Sequence, residues 1–99
     1  MLHIVNRSPF ERNSLETCLR MVQPGSAILL IEDGVIAATK GTPFTDRLTG
    51  LHDRVAVYAL GPDLDARGLR DRTADGIRVV DYGGFVDLVT ENHTVQSWL

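Results

Sequence analysis

The stretch that most constrains the fold of this chain is residues 26–39, SAILLIEDGVIAAT. Ala27–Ile31 is apolar at every position, and it stops at Glu32-Asp33-Gly34 before a short helical segment of small residues. Continuous rather than alternating apolarity is typical of a strand that is covered on both faces. Such strands form parallel sheets, whose ligand sites lie at the carboxyl ends of the strands. The sequence therefore predicts Glu32 and Asp33 at that edge.

Three further segments have the composition of strands and end at turn-forming residues: Leu2–Val5, Val55–Leu60 and Ile77–Val80. A first helix is expected after Asn13, which would act as its N-cap with Glu16 at the capping-box position. The apolar residues of this helix recur at helical spacing and share one face; they are Leu15, Cys18, Leu19 and Val22.

Helical patterns also fill the other gaps between strands. A helical turn after Pro43 carries Phe44, Leu48 and Leu51, Pro62 begins a short helix through 64–67, and the last helix covers 84–92 with Phe85, Leu88 and Val89 inward. Strands that alternate with helices favour right-handed crossovers. The prediction is an α/β protein with one domain over 1–99, a three-layer fold and a four- or five-stranded, mainly parallel sheet with helices on both faces.

Composition limits the classes of function. Thirteen acidic and ten basic side chains give a net charge of −3, whereas nucleic-acid binding generally requires a basic surface. The apolar runs are far shorter than the ~20 residues that span a bilayer, and the first ten residues do not resemble a signal peptide. A single cysteine cannot form an internal disulfide. A cytoplasmic protein without direct contact to nucleic acid or membrane is expected.

Cys18 has two interpretations. As a sulfur carrier or nucleophile it would need exposure and a positive field, which Arg20, Arg7 or Arg12 could supply. However, it shares a helix face with apolar residues, and free cysteines are among the most buried residue types. We interpret Cys18 as a small buried side chain, and as an accessory persulfide site at most.

The other reactive residue types form no recognisable catalytic or metal-binding pattern. His3, His52 and His93 are scattered, without the spacing of a zinc motif. The sequence has neither a Rossmann fingerprint, a P-loop nor a GxSxG motif. No cofactor and no metal are expected, and an independent enzyme lacks a supporting set of residues.

Two polar turns allow either a structural or a chemical role. Glu32 and Asp33 could act in acid–base chemistry, but adjacent residues on a strand point to opposite faces, and Asp33 suits the cap of the next helix. Gly83-Gly84 precedes a helix where an anion could bind, but a tight left-handed turn also explains the pair. We favour the structural role for both.

The tail ends on large apolar residues, Trp98 and Leu99. Chain ends usually fray unless they dock. Trp98 therefore either folds back on its own domain or anchors a partner subunit, because aromatic side chains are enriched at interface centres. We prefer Trp98 and Leu99 as interface anchors.

In order along the chain, several segments resemble the DsrH/TusB subunits of bacterial sulfur-relay complexes (DsrEFH and TusBCD). They are 2–10 (LHIVNRSPF), 29–35 (LLIEDGV) with Ala37-Ala38, 57–64 (VYALGPDL) with 66–68 (ARG), Asp81-Tyr82 with 84–88 (GFVDL), and 95–99 (VQSWL). No single piece is diagnostic, but their order and spacing over almost the whole chain are specific.

The resemblance implies a DsrE-like fold and a place in a heterohexamer beside DsrE/TusD-like and DsrF/TusC-like subunits, with two copies of each. Such complexes accept persulfide sulfur from a TusA-like carrier. The sulfur then serves either tRNA wobble-uridine 2-thiolation or dissimilatory sulfur oxidation. The principal sulfur-carrying cysteine belongs to the DsrE/TusD-like partner. A cysteine in the first helix is typical of the oxidation branch, which Cys18 therefore favours.

These observations leave two hypotheses of function. The first is a non-catalytic or accessory subunit of a sulfurtransferase complex. The alternative is a stand-alone small-molecule-binding or regulatory module that uses the crevice at the strand ends, near Asn6, Glu32, Gly61 and Asp81.

Overall fold

One five-stranded sheet organises the computed structural model, which describes residues 1–51 and 54–98. Its strands are β1 (Leu2–Val5), β2 (Ala27–Leu30), β3 (Ala56–Leu60), β4 (Arg78–Val80) and β5 (Val95–Trp98). Their order is β4-β3-β2-β1-β5, and every neighbouring pair is parallel. The predicted parallel α/β architecture is confirmed, and the four predicted strands lie within one residue of their expected bounds.

The fifth strand is the part of the sheet that the sequence did not reveal. β5 pairs with β1, and Trp98 lies opposite Val5 in the register. Val95, Gln96 and Ser97 are exposed because β5 is an edge strand. An edge strand needs no continuous apolar run, and therefore this segment lacks the pattern that marks β2.

Four α-helices connect the strands: α1 (Ser14–Met21), α2 (Thr45–Thr49), α3 (Gly61–Ala66) and α4 (Tyr82–Glu91). Two 3₁₀ segments, Glu32–Ala38 and Arg70–Arg72, add shorter turns. None of the described helices is long and apolar enough to cross a bilayer.

Two predicted helix starts are wrong in detail. Asn13 precedes α1, but its side chain makes no capping hydrogen bond; instead, the Thr17 hydroxyl donates to the Asn13 carbonyl at 3.0 Å. Pro62 is the second residue of its helix, because α3 begins at Gly61. The predicted turn after Pro43 is confirmed as α2, with Leu48 buried.

The first face of the sheet is covered by α1, the 3₁₀ segment Glu32–Ala38, α2 and α3. The core on this face joins side chains of β1, β2 and β3 to side chains of those helices, including Leu15, Cys18, Val35, Leu48 and Leu64. The predicted apolar face of α1 is confirmed, since Leu15 and Cys18 are buried and Leu19 and Val22 pack partly against the same core.

The second face of the sheet is covered by α4. Leu2, Ile4 and Leu29 of the sheet pack with Leu88 of this helix, and the helix residues Phe85 and Val89 pack at the margin. The predicted inward face of the last helix is therefore confirmed. Together, the two cores explain why β1 and β2 are apolar at nearly every position.

Gly34 allows the 3₁₀ segment to lie directly against β1. A Cβ atom at this position would overlap the carbonyl group of Val5. The parallel register already places the end of β2 beside the end of β1, and Gly34 lets the segment after β2 pack against the end of β1.

Candidate functional site

Cys18 lies in the middle of α1 and is completely buried in the first core. Burial raises the pKa of its thiol to about 11, because an apolar environment disfavours the thiolate. The thiol is therefore protonated at neutral pH and cannot act as a nucleophile in this conformation. A role as an accessory persulfide site remains a prediction that would require α1 to open.

The three arginines that the sequence offered as activators of Cys18 are Arg7, Arg12 and Arg20; all are exposed, whereas the thiol is buried. Arg20 is strongly exposed, and its guanidinium lies 3.8 Å from the Glu16 carboxylate on the outer side of α1. Arg12 Nη1 contacts the backbone carbonyl of Glu11 at 3.5 Å. Both cations are directed to solvent or to other partners.

The histidines lie in unrelated surroundings. His3 is buried on β1, and its Nδ1 accepts a hydrogen bond from Trp98 Nε1 at 3.0 Å. Burial and the nearby amino terminus lower the pKa of His3. His93 is exposed after α4, and His52 is outside the described residues. No group of three or more metal-ligating side chains occurs in ranges 1–51 and 54–98.

Trp98 folds against its own domain. Its ring stacks on His3 with 6.1 Å between ring centroids, and it packs partly against the first core. The tryptophan still retains partial exposure at the end of an edge strand. Its role as an interface anchor stays a prediction. Leu99 is outside the described residues.

The polar residues that follow the strands meet at the carboxyl edge, as the parallel topology requires. Asn6 follows β1, Glu32 lies two residues beyond the end of β2, Gly61 follows β3, and Asp81 follows β4. The Asn6 Oδ1 atom is buried, and it has no hydrogen-bond partner in the part of the chain that the structure describes. The crevice residues named from the sequence therefore share one edge.

Glu32 has the most unusual backbone at this edge, with a φ of 50°. This left-handed conformation is uncommon for a residue with a side chain and costs roughly 1–2 kcal/mol. A contact distant in sequence supports it: the Glu32 amide donates to Asp63 Oδ2 at 2.7 Å. Because Asp63 belongs to the first turn of α3, this hydrogen bond ties the end of β2 to the start of α3.

Asp33 does not cap the following helix, and that prediction is wrong. The residue lies inside the 3₁₀ segment, and its Oδ1 accepts hydrogen bonds from Arg67 Nε and Nη2 at 3.0 and 2.8 Å. Asp33 therefore binds an arginine after α3, whereas Glu32 lines a cleft. The two adjacent carboxylates have different surroundings, as expected for neighbouring residues after a strand.

Gly83 and Gly84 do not form the predicted left-handed turn. Both belong to the first turn of α4, and neither has a positive φ. The cap is Asp81, whose Oδ1 accepts a hydrogen bond from the Gly84 amide at 2.8 Å. Glycine is needed at position 84 because a Cβ atom there would lie 2.9 Å from Val80 Cβ. The DYGG sequence is thus an N-cap followed by a tightly packed helix start.

Two clefts flank the amino-terminal end of α4. One, of about 250 Å³, is lined by Ile31, Glu32, Leu60, Asp63, Tyr82 and Phe85. The other, of about 410 Å³, is lined by Pro62, Arg70, Val79, Val80, Asp81 and Gly84. The lining residues are carboxylates, apolar groups, one tyrosine and one arginine, a set suited to binding rather than to nucleophilic chemistry. Sequence analysis missed Asp63 and Tyr82, which contribute to the first cleft.

The sheet order, with helices on both faces, defines the class of protein: a small parallel α/β protein with a DsrE-like fold. A model of the DsrH family, described as DsrH like protein, matches residues 7–95. The chain belongs to the DsrH family.

Full-length relatives agree with this assignment. The chain is 39% identical over 98 residues to a Protein TusB of Pectobacterium parmentieri, a match that covers 99% of this chain and 100% of the relative. Proteins TusB of Enterobacter sp. (strain 638) and Escherichia coli O1:K1 / APEC are 41% and 37% identical with the same coverage.

Solved structures share the fold. The ychN protein from E. coli superimposes with a TM-score of 0.78 at 19% identity, over 97% of each chain. The protein MTH1491 from Methanobacterium thermoautotrophicum gives a TM-score of 0.74 at 17% identity, over 97% of this chain and 96% of that one. These likenesses concern the arrangement of strands and helices.

Proposed function

We propose that the chain is a non-catalytic or accessory subunit of a sulfurtransferase complex that relays persulfide sulfur. It acts beside DsrE/TusD-like and DsrF/TusC-like subunits in a cytoplasmic heterohexamer, and a TusA-like carrier delivers sulfur to the complex. Membership of the DsrH family supports this proposal. The extent of the likeness to proteins named TusB supports it further.

The buried thiol of Cys18 is the observation that carries the non-catalytic role. Persulfide transfer requires an acceptor thiolate to attack the sulfane sulfur of the donor, which breaks the donor S–S bond and releases the donor thiolate. Cys18 is the only cysteine in the sequence, and it is buried and protonated. The working thiol must therefore come from a partner subunit, and this chain contributes surface and shape.

The names of the relatives favour tRNA wobble-uridine 2-thiolation as the branch of the relay. All three cited relatives are proteins named TusB. Cys18 by itself favours the sulfur-oxidation branch, but its thiol is buried in this conformation. We therefore place the chain in the thiolation branch.

A sulfur-transfer assay tests the non-catalytic role. The purified chain, the co-expressed heterohexamer and a heterohexamer with Cys18→Ala are each incubated with a TusA-like carrier that bears a ³⁵S-labelled persulfide. We expect label on the DsrE/TusD-like subunit in both complexes and none on the isolated chain. Rapid labelling of Cys18 in the isolated chain would contradict the proposal.

Co-elution separates the proposal from the stand-alone module. The chain is mixed with the DsrE/TusD-like and DsrF/TusC-like subunits of the same genome and analysed by size-exclusion chromatography. A joint peak is expected for a relay subunit. A monomer that ignores both subunits would favour the small-molecule-binding alternative.

A further inference from the structure

One side of α4 carries exposed apolar groups next to a cleft that is lined by two carboxylates. Tyr82 and Val86 are 62% and 57% exposed, and their spacing of four residues places them on the same side of the helix. We call Tyr82, Val86, Glu32 and Asp63 the α4 surface.

The α4 surface is continuous with the smaller cleft at the carboxyl edge. Tyr82 lines that cleft together with Glu32 and Asp63. One oxygen of Asp63 accepts the Glu32 amide, so the carboxylate is held in place beside the tyrosine ring. An aromatic ring and two carboxylates thus surround one opening, and an apolar residue follows one turn along the helix.

Within the described ranges, neither carboxylate of this surface forms an ion pair; the pairs that do form use Glu16, Asp33 and Asp65. Arg67 donates to the backbone carbonyl of Asp63 at 3.2 Å, but its ion pair is with Asp33. A partner with positively charged side chains would be complementary to the two carboxylates.

Phe10, another strongly exposed aromatic residue, differs from Tyr82 because its ring contacts other side chains of this chain. Phe10 packs edge-to-face on Phe44 with 5.8 Å between ring centroids, and the Arg47 guanidinium lies 5.9 Å from the Phe44 ring. That cluster is therefore already occupied by groups of the same chain. Tyr82, the aromatic group of the α4 surface, lies instead at the cleft lined by Glu32 and Asp63.

We propose that the α4 surface docks a partner subunit that places a lysine or arginine in the cleft beside Tyr82 and an apolar side chain against Val86. The inference rests on the proposed function, because it names where a subunit of the complex binds. A cation in the cleft gains the ring face of Tyr82 and the carboxylates of Glu32 and Asp63. Polyanions such as RNA are repelled by the same carboxylates.

Binding of variants to the co-purified DsrE/TusD-like and DsrF/TusC-like subunits tests the inference. Tyr82→Ala and Glu32→Lys change the α4 surface, and Met21→Ser and Asp75→Lys are matched controls at exposed positions outside it. Titration calorimetry should show affinity reduced about tenfold or more for Tyr82→Ala. Glu32→Lys should slow association about tenfold at low salt, and the controls should stay within about twofold of the unmodified chain.

The outcomes separate the two proposals. If the unmodified chain does not bind either subunit, the proposed function fails. If it binds and the α4 variants bind equally well, the docking surface is wrong while the proposed function stands. Loss of a homodimer rather than of the mixed complex in Tyr82→Ala would make a second copy the occupant and would also overturn the inference. Circular dichroism of each variant verifies that the fold is unchanged.

Discussion

Trp98 Nε1 donates a hydrogen bond to Nδ1 of His3 at 3.0 Å, and the two rings stack with 29° between their planes. The bond joins the last strand of the chain to the first, which are neighbours in the sheet. Since Nδ1 must accept the indole hydrogen, His3 is neutral and carries its own hydrogen on Nε2.

The pair predicts a loss of stability in mild acid. The pKa of His3 is lowered in the folded chain, so the folded state favours the neutral ring. This contribution is complete above the ordinary histidine value of about 6.5 and is lost as the pH falls below it. Urea unfolding followed by Trp98 fluorescence between pH 8 and 5 should show the decrease.

Two variants control this experiment. His3→Gln removes the titrating ring at the pair and should flatten the decrease, whereas His93→Gln removes an exposed histidine and should leave it unchanged. An equal pH dependence in the unmodified chain and in His3→Gln would show that the pair is not responsible.

Cys18 should resist alkylation in the folded chain. Its thiol is fully buried and has a raised pKa of about 11, so both access and thiolate are lacking. Iodoacetamide at pH 8 should modify Cys18 only in denaturant, as measured by intact mass. Fast labelling of the native chain or of the assembled complex would instead support an accessory persulfide site.

Gly34→Ala should destabilise the fold by about 3 kcal/mol, because the new Cβ would overlap the Val5 carbonyl and push the 3₁₀ segment off β1. Gly83→Ala is the matched control, because neither glycine has a positive φ. A Cβ atom at position 83 would meet only the Asp81 carboxylate, at 3.3 Å. In chemical denaturation, Gly34→Ala should unfold at a much lower denaturant concentration than Gly83→Ala. Similar midpoints for the two variants would argue against the close approach of the 3₁₀ segment to β1.

Glu32→Gly should increase stability by about 1 kcal/mol. Glycine adopts the left-handed conformation without the cost that a side chain imposes, although it loses more entropy on folding. Asp33→Gly should have the opposite effect because it removes the ion pair with Arg67. The denaturant midpoint should be higher for Glu32→Gly and lower for Asp33→Gly than for the unmodified chain. A lower midpoint for Glu32→Gly would contradict the prediction.

Trp98→Ala should weaken assembly with the relay subunits by a few kcal/mol if the tryptophan is an interface anchor. The same change removes the contact with His3 within the chain. Trp98→Phe provides the comparison, since it keeps an apolar ring but lacks the donor. Binding affinity measured by calorimetry, together with the stability of each variant, distinguishes a role at the interface from a role within the fold. Unchanged affinity in both variants would show that Trp98 is not an interface anchor.

The fold followed closely from the sequence, and the site followed only in part. Burial of Cys18 was predictable because its neighbours at helical spacing are apolar. The wrong assignments, namely the Asn13 and Asp33 caps and a left-handed turn at Gly83-Gly84, concern polar residues and glycines that have several local conformations of similar energy. Which conformation such a residue adopts depends on its partners elsewhere in the chain, as Asp33 depends on Arg67.

The sequence by itself determined the parallel sheet, its covering on both faces and the strand-end location of its polar residues, because burial leaves a periodic pattern in each segment. Only the tertiary structure decided that residues 95–98 form an edge strand, that Asp63 supports the left-handed Glu32, and that Tyr82 stands beside both carboxylates. These relationships join residues far apart in the chain, and no local pattern encodes them.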